Sequence, residues 1–511
     1  MRNTASMPTT PNKATRQHSI AQPARALIPA TRAALPSHAL TRGADTTLTE
    51  QLARRFAEQI RQRLLAPGSR LPSVRECARR QQVSASTVVA AYDQLLAQGL
   101  VEARKQRGFF VREPAQLRTQ GAQTVAPTAP RPRAVVSATS LMRGMFQPPG
   151  SLPMPGLGTL PADWSDVSML GSALKRVSSG AALAPLSLQY GESAGDPRLR
   201  LALSRKLQDF GITAAPEQIV TTLGATQALD VVTRSLLRAG DTVLVDEPGW
   251  PVEFARLAAL GLRVLPVPRG ETGPDLAVME RLIEAQAPQE RPRLYITVSV
   301  LHNPTGSCLS LQSAHQLLQL ANKHDLHILE DDSYCYLAPA HLPRLSALDG
   351  LQRTIYVSGF SKILVPNWRV GYIAAPAHLV DRFIDTKLLT TLTTPSLTEQ
   401  ALAYCLEQGL LRRHADRVNQ RLDAARSRSV KLALTHGCEF KATPRGLFGW
   451  VDVGVDTERL AHAMLDEGWL LAPGSIFHAT PRPTTLMRVN FSTTQESRFW
   501  AAVGSMRSGL R

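Results

Sequence analysis

The chain has 511 residues, and a length of ~150 residues per domain predicts about three domains. Hydrophobic residues make up 43% and charged residues 19%, which is ordinary for a globular protein and leaves ample material for a core. The formal net charge of +17 indicates a polyanionic partner, provided that the positive charge is clustered. The five cysteines show no CxxC spacing, so we expect a reducing compartment, no disulfide framework and no metal site.

Residues 1–46 are predicted to form a disordered basic tail. Six Arg and Lys residues precede the first acid, Asp45, and the segment has no hydrophobic period. An acid-poor start also fits an organelle transit peptide, and a solvated tail is the interpretation that we adopt. The sequence contains no apolar run near the ~18 residues of a membrane span and no secretory signal. We therefore expect a cytoplasmic protein without membrane contact.

Residues 47–113 are predicted to form a winged helix-turn-helix. Apolar residues recur at helical spacing before Pro67, and Ser73 followed by Glu76 predicts the start of a second helix. A third helix opens at about Val83 with small hydroxyl residues, and a hairpin follows. Two helices joined by a short turn, with a hairpin after them, are typical of a winged helix-turn-helix.

Positive charge is clustered in this segment. Twelve Lys and Arg residues lie between Thr46 and Glu113, against six acids. Such a surface provides salt-dependent affinity for the phosphates of DNA. The alternative is a winged helix that binds another protein.

The sequence RLPSVRECARRQQVSASTVVAAYDQLLAQGLVEARKQRGFFV, residues 70–111, closely resembles the GntR-type winged helix. The resemblance implies binding to double-stranded DNA. Carried over by position, it implies DNA contacts from Arg70, Arg75, Ser84, Ser86, Thr87 and, at the wing, Arg104. Ala85 and Val89 stand where family members often have arginine, which implies that this helix makes fewer contacts with the base edges of DNA.

Residues 114–160 are predicted to be a semi-extended linker, because Pro, Ala, Gln and Thr dominate without a hydrophobic period. In residues 161–511, apolar strand-like runs alternate with helical stretches, which predicts a largely parallel α/β sheet. Residues from about 395 to 511 are expected to form a smaller C-terminal α+β subdomain. The strand candidates are 219–222, 242–245, 263–267, 293–298, 327–330 and 355–357.

One lysine, Lys362, follows the last of these strand candidates. A side chain just beyond a strand of an open α/β sheet faces the crevice where ligands bind. Burial there lowers the pKa of a lysine, and the neutral amine can form a Schiff base with an aldehyde. Ser361 and Arg369 beside it suit a phosphate monoester. A surface lysine in a loop fits this segment alone equally well.

Polar and aromatic residues follow the other predicted strands. Gly224 opens a helix whose N-terminus can hold a phosphate, and Trp250 offers a face for stacking on a pyridine ring. Asn303 can donate to a phenolate oxygen, and a carboxylate near Asp331 can pair with a pyridine nitrogen. Arg488 can bind a carboxylate through two hydrogen bonds. Taken singly, each of these residues has an ordinary structural explanation. Asn303 can belong to a common turn, Trp250 to the core, and Asp331 to a solvated acidic pair with Asp332.

The order Tyr190, GATQ, PGW, NPTG, EDDSY, SGFSK, Arg369 and MRVNFS resembles fold-type I pyridoxal 5′-phosphate (PLP) enzymes of the aminotransferase class I/II family. The resemblance covers essentially all of residues 161–511 and implies a PLP-dependent transferase fold with PLP as cofactor. It implies that Lys362 forms the Schiff base and that Arg488 binds the substrate carboxylate. The other implied PLP contacts are Ala225, Thr226, Trp250, Asn303, Asp331, Tyr334, Ser361 and Arg369.

Three details qualify this resemblance. Asp331 is preferred to Asp332 as the partner of the pyridine nitrogen because the family spaces aspartate and tyrosine as D-x-x-Y. Tyr190 resembles the tyrosine that reaches the phosphate of the neighbouring subunit, which implies a head-to-tail homodimer. Gly359 replaces a frequent serine, and Ala225 offers only its backbone to the phosphate.

A winged helix, a linker and an aminotransferase-like body together resemble the MocR subfamily of GntR-type regulators. The resemblance implies a PLP-dependent transcriptional regulator that senses PLP, an amino compound or both, and that is not catalytic in the cell. One alternative is an active aminotransferase with an appended DNA-binding domain. Another is a constitutive DNA-binding protein whose large domain only dimerises. The sequence predicts neither the effector, the operator, nor the direction of regulation.

Overall fold

The computed structural model describes residues 40, 46–61, 65, 67–104, 107–112, 154–179 and 188–510. Nearly all of the predicted tail, residues 1–46, lies outside these residues, and so does most of the predicted linker, residues 114–160. Within the described part of the chain, no helix combines the length and the apolar character needed to cross a bilayer.

The N-terminal described region forms three helices and a two-stranded wing. Its elements are α1 (Leu48–Arg61), α2 (Val74–Gln81), α3 (Ala85–Ala97), β1 (Val101–Arg104) and β2 (Gly108–Val111). Ser73 caps α2 by accepting a hydrogen bond from the Glu76 backbone N–H, and Ser84 caps α3 by accepting one from Thr87. These caps start the two helices where the hydroxyl residues predicted them to start. Tyr92 is fully buried at the centre of this region.

A seven-stranded sheet forms the centre of the body. Its strands are β3 (Ile219–Thr222), β4 (Thr242–Glu247), β5 (Arg263–Pro268), β6 (Leu294–Thr297), β7 (His327–Asp331), β8 (Thr354–Gly359) and β9 (Gly371–Ala374). Their order is β3-β9-β8-β7-β6-β4-β5. Strand β9 is antiparallel to the other six, which are parallel to one another. Most of these strands are apolar and buried along their length, as expected for a sheet covered on both faces. The prediction of a largely parallel α/β sheet is confirmed.

Helices surround this sheet, and they alternate with its strands in the chain. They are α4 (Val167–Val177), α5 (Pro197–Gln208), α6 (Ala225–Leu236), α7 (Pro251–Ala259), α8 (Leu276–Glu284), α9 (Leu311–Lys323), α10 (Leu345–Asp349), α11 (Ala377–Thr391) and α12 (Ser396–Glu407). The carboxyl ends of the parallel strands meet at one edge of the sheet, so the loops after β4, β6, β7 and β8 lie there together.

The C-terminal part contains a second, antiparallel sheet and three further helices. The elements are α13 (Leu410–Thr435), β10 (Glu439–Phe440), β11 (Phe448–Asp452), α14 (Thr457–Asp466), β12 (Ala472–Pro473), β13 (Leu486–Asn490) and α15 (Ser497–Ser508). The strand order is β10-β11-β13-β12. This is the smaller α+β subdomain that the sequence predicts; where along the chain it begins stays a prediction.

The winged helix region contacts α14. Asp466, at the end of α14, lies 3.9 Å from Arg55 of α1 and 3.9 Å from Arg80 of α2. Burial raises the pKa of Asp466 to about 6, although both arginines lower it. Burial also lowers the pKa of His462, one turn earlier, to about 4. The contact therefore contains ionisable groups that are largely removed from water.

We expect Asp466→Asn to stabilise the protein at pH 7 and to have little effect near pH 4. The pKa of Asp466 is raised in the folded protein from 3.8 to about 6, so its contribution to stability is complete below ~4 and is lost as the pH rises through about 6. Asparagine stays neutral throughout. The gain at pH 7 should be about 3 kcal/mol in the free energy of unfolding, because the pKa is raised from 3.8 to about 6 and each pKa unit corresponds to ~1.4 kcal/mol.

Denaturant unfolding of both proteins between pH 4 and pH 7 measures this difference. The variant retains His462, so the titration of that residue cancels in the comparison. A difference that does not change with pH would show that the Asp466 carboxyl is not desolvated.

Candidate functional site

Lys362 lies three residues beyond β8, inside the body. Its Nζ donates a hydrogen bond of 2.7 Å to the carbonyl oxygen of Gly158. Burial lowers the pKa of the Lys362 amine to about 8, and Arg488 lowers it further, whereas Asp331 acts in the opposite direction. The lysine is thus held in a low-dielectric site, where a substantial fraction of the amine is neutral near physiological pH.

Two neighbouring aspartates have different environments. Asp331, at the end of β7, accepts hydrogen bonds from the backbone N–H and the hydroxyl of Ser333. Burial raises the pKa of Asp331 to about 6, with the Ser333 hydroxyl lowering it. Asp332 is fully buried and accepts from Arg344 at 2.6 Å and from the Tyr356 hydroxyl at 2.9 Å. The two residues are not a solvated pair, and Asp331 is the one whose charge acts on Lys362.

Asn303, Tyr334 and Arg488 form a connected group. The Asn303 amide donates to the Tyr334 hydroxyl at 3.5 Å, and Arg488 donates to the Asn303 amide oxygen at 2.8 Å. The Arg488 guanidinium lies 4.4 Å from the centre of the Phe448 ring and 5.1 Å from that of Phe477. Burial lowers the pKa of Arg488 to about 10. Its Nε is buried and has no hydrogen-bond partner among the described residues.

The N-terminus of α6 and Arg369 form a cradle. Gly224, with φ of 84°, precedes Ala225 at the start of the helix. Arg369 donates to the Ser361 hydroxyl at 3.2 Å and to the Leu223 carbonyl at 2.8 Å. A Cβ on Gly371 would lie only 2.5 Å from the backbone of Gly224, so this close approach requires glycine. The first N–H groups of a helix have no partner within it, so they can bind an anion together with Arg369.

Thr226, Trp250 and Tyr190 are the remaining residues that were predicted to contact PLP. Thr226 is exposed in the first turn of α6, and Trp250 caps the N-terminus of α7 and packs partly against the core of the large sheet. Tyr190 is 83% exposed, beside Leu188, which is 81% exposed. Among the residues that the structure describes, Tyr190 makes no contact with the group around Lys362.

Three residues of the site were not predicted from the sequence. Gly156 accepts a hydrogen bond of 2.6 Å from Arg488, and Gly158 accepts the one from Lys362. Asn490 donates to the carbonyls of Leu157 and Thr159 at 3.0 and 2.8 Å. The two glycines fall in the predicted linker, whereas in the structure residues 154–160 lie against the body. Their contacts are made by backbone carbonyls, for which the sequence carries no signal.

The structure describes all six residues of the winged helix that were predicted to contact DNA. The Ser84 hydroxyl is 2.7 Å from those of Ser86 and Thr87 at the start of α3. Arg70 and Arg75 are exposed. Arg104, at the wing, forms an ion pair of 2.6 Å with Glu102 and lies 4.5 Å over the Phe110 ring, and its contact with DNA stays a prediction.

We expect covalent capture of an aldehyde by Lys362 to follow a pKa near 8. Only the neutral amine attacks a carbonyl, so the rate should rise with pH and level off above about 8, rather than above 10.5. Trapping with PLP and borohydride at a series of pH values, followed by peptide mass analysis, measures this rate. Arg488→Gln should move the inflection to higher pH because a nearby positive charge is lost. An inflection near that of an exposed lysine would contradict the burial of Lys362.

Comparisons with known proteins agree with this arrangement. Residues 158–502 match the aminotransferase class I and II family, and residues 48–111 match the bacterial regulatory proteins of the gntR family. The HTH-type transcriptional regulator YdcR of Escherichia coli is 30% identical over 453 residues, which cover 86% of this chain and 94% of that protein. The probable rhizopine catabolism regulatory protein MocR of Rhizobium meliloti is 29% identical and covers 92% of this chain and 95% of its own length.

Solved structures of aminotransferases are similar to the body. The multiple substrate aminotransferase of Thermococcus profundus superposes with a TM-score of 0.66 at 25% identity, covering 73% of this chain and 94% of its own. The α-aminoadipate aminotransferase LysN of Thermus thermophilus, complexed with N-(5′-phosphopyridoxyl)-L-leucine, gives 0.65 at 25% identity, covering 74% and 96%. The chain therefore belongs to the aminotransferase class I and II family and, with its gntR-family domain, to the MocR subfamily of GntR-type transcriptional regulators.

Proposed function

We propose that this regulator binds PLP at Lys362 and senses an amino compound through Arg488, and that ligand binding changes its affinity for DNA. The observation that carries the proposal is that Lys362, Asp331, Asn303 and Arg488 converge in one buried site. A protein whose large domain served only to dimerise would not need a buried lysine of lowered pKa beside a carboxylate and an unpartnered guanidinium Nε.

The residues present suit PLP. The cofactor supplies an aldehyde and an electron-withdrawing ring when it is bound. Lys362 offers the amine for that aldehyde, and Asp331 offers a carboxylate for the ring nitrogen. The cradle of α6 and Arg369 matches a dianionic phosphate, since it combines helix N–H groups with a guanidinium. Asn303 and Tyr334 offer donors for the phenolic oxygen.

An amino acid is the class of effector that fits the remaining groups. Arg488 offers a guanidinium to a carboxylate, and the rings of Phe448 and Phe477 lie 4.4 and 5.1 Å from that guanidinium. These rings exclude water, which strengthens the ion pair that a carboxylate would form there. The carboxylate would hold the compound so that its amino group is directed toward Lys362.

The assembled form that we propose is a head-to-tail homodimer. Tyr190 and Leu188 are exposed, and Leu389 at the end of α11 is 90% exposed. Exposed large apolar groups of this kind mark contact surfaces. A second copy covering them would bring its Tyr190 toward the phosphate cradle of the first, as the family resemblance implies.

Regulation then requires a difference in affinity between two states of the protein. A ligand shifts the equilibrium only as far as it binds one state better than the other. The winged helix contacts α14, and Arg488 lies on β13 of the same C-terminal region. A rearrangement around Arg488 can therefore be transmitted through this C-terminal region to the winged helix.

An active aminotransferase is the second candidate. The polar residues that the aminotransferase resemblance implies are all present, which favours this candidate. The 2-aminoadipate transaminase of Thermus thermophilus is 29% identical over 317 residues, 60% of this chain. Sustained conversion of an amino acid and an oxo acid at ~1 s⁻¹ or faster would support it. Binding of the same compounds with only traces of turnover would support the sensor.

We expect Lys362→Ala to bind DNA but to lose the response of DNA affinity to PLP and amino compounds. The substitution removes the amine from the site and leaves the winged helix unchanged. Lys323→Ala is the matched control, because Lys323 is exposed on α9 and pairs with Glu280. Fluorescence anisotropy with operator DNA, with and without PLP, measures the response. A Lys362→Ala protein that responds like the control would contradict covalent sensing.

We expect Arg75→Ala to weaken DNA binding by ~10-fold and to reduce its salt dependence. Arg75 is exposed on α2. Arg176→Ala, an exposed arginine on α4 of the body, is the control for the loss of one positive charge. Titrations at several salt concentrations provide the slope. Equal slopes for the two variants would place DNA elsewhere on the protein.

A further inference from the structure

The exposed side of helix α3 lacks the side chains that most often identify bases in DNA. The sequence of α3, ASTVVAAYDQLLA, contains no Arg, Lys or Asn, and its one charged residue is Asp93. Arg and Lys select guanine, and Asn and Gln select adenine, through paired hydrogen bonds in the major groove. Gln94 is half-buried and lies nine residues after Ala85, which places it on the opposite side of the helix. The side of α3 that carries Ala85 therefore does not identify purines in this way.

Small and apolar side chains occupy this exposed side instead. Ala85, Ser86, Val89 and Ala90 are all exposed. The exposed fraction of Val89 is 41%. The buried side of the helix is formed by other residues, which are Val88, Ala91, Tyr92 and Leu95. Val89 therefore lies outside the packed side of α3, with its side chain accessible to a partner.

The position of Val89 along α3 suits contact with base edges. In a helix-turn-helix, the second helix enters the major groove, and its N-terminal residues contact the bases. Ala85 is the first residue of α3, and Val89 lies one turn later, ~6 Å along the helix axis. That distance is comparable with the rise of two base pairs, at ~3.4 Å each. Asp93 lies a further ~6 Å from this end of the helix. The part of α3 that reaches base edges is therefore its small and apolar part.

The hydroxyl groups at the start of α3 discriminate little between bases. Ser84 accepts the capping hydrogen bond from the Thr87 backbone N–H, and its hydroxyl lies 2.7 Å from those of Ser86 and Thr87. A hydroxyl both donates and accepts, so it can pair with the polar edge of any base. These hydroxyls therefore leave the choice of base to the apolar residues.

Thymine offers the group that matches an apolar side chain. In the major groove, the C5 methyl group distinguishes thymine from the other bases. Contact with Val89 would remove this methyl group from water, which is favourable. The affinity for DNA has a different source, since Arg70 and Arg75 are exposed and can bind phosphates of any sequence. Positive charge thus holds the winged helix on DNA, and apolar contact is left to select the sequence.

We propose that α3 selects its DNA site through thymine methyl groups, with Val89 and Ala85 as the residues that determine this specificity. The inference rests on the DNA binding that is part of the proposed function, and it is independent of PLP and of the effector. It predicts DNA sites in which thymines recur about two base pairs apart, the spacing that corresponds to one turn of α3.

Duplexes that lack single methyl groups test the inference. The full-length protein first selects a binding sequence from a library of random duplexes. Each thymine of the selected duplex is then replaced by uracil, which pairs in the same way and lacks only the C5 methyl group, and fluorescence anisotropy measures the affinity. We expect uracil to weaken binding by ~4-fold at two or more positions, as for the loss of one buried methyl group.

Two results of this experiment would show the inference to be wrong. One is a selected sequence without recurring thymines, and the other is an affinity that no uracil substitution changes. A protein that binds no duplex at all would overturn the proposed function together with this inference.

Substitutions at Val89 assign the contact to that side chain. Val89→Ala should weaken binding to the selected duplex by ~4-fold and remove the difference between thymine and uracil at one position. Val89→Arg should change the preferred base at that position to guanine. Val167→Ala is the matched control, because Val167 is 71% exposed on α4 of the body. A Val89→Ala protein that distinguishes thymine from uracil as the control does would overturn the role of Val89.

Discussion

The burial of one amine, that of Lys362, determines how the site is organised. A lysine removed from water and placed near Arg488 and Arg369 is destabilised as a cation, and Asp331 only partly offsets this. The protein satisfies the amine with a backbone carbonyl, from Gly158, and not with a carboxylate. With its pKa lowered to about 8, a fraction of the amine is neutral near physiological pH, and the neutral form is the one that can react. A direct carboxylate partner at Lys362 would raise its pKa and suppress that reactivity.

Buried ionic networks hold the surrounding loops in place. Asp332 binds Arg344 and Tyr356, which fixes the loop after β7 so that Asp331 faces the site. Asp246, at the end of β4, binds Arg269 at 2.9 Å and the Thr297 hydroxyl at 2.7 Å. Removing one member of such a network leaves an uncompensated buried charge. The chemistry of the site therefore depends on charged residues that never touch a ligand.

The sequence predicted the parts of the structure that leave a local pattern. Alternating apolar runs predicted six of the seven strands of the large sheet, all except β9. The residues after these strands supplied the candidate members of the site, because parallel strands end at the same edge. The D-x-x-Y spacing favoured Asp331, and the ion pair of Asp332 with Arg344 explains physically why its neighbour is not available. The contacts of residues 154–160 with the site could not be predicted, because they are made by backbone carbonyls in an aperiodic segment. The Asp466 contact with Arg55 and Arg80 joins residues about 400 positions apart, which no local pattern records.

The reaction of Lys362 with PLP tests the account most directly. The absorption spectrum of the purified protein should show a cofactor band after PLP is added, and borohydride reduction should fix one phosphopyridoxyl group per chain on the peptide that contains Lys362. That result would establish the buried amine as the point at which the cofactor is held. A protein that takes up no PLP, or that is modified equally at exposed lysines, would contradict the account and leave the body as a scaffold for the winged helix.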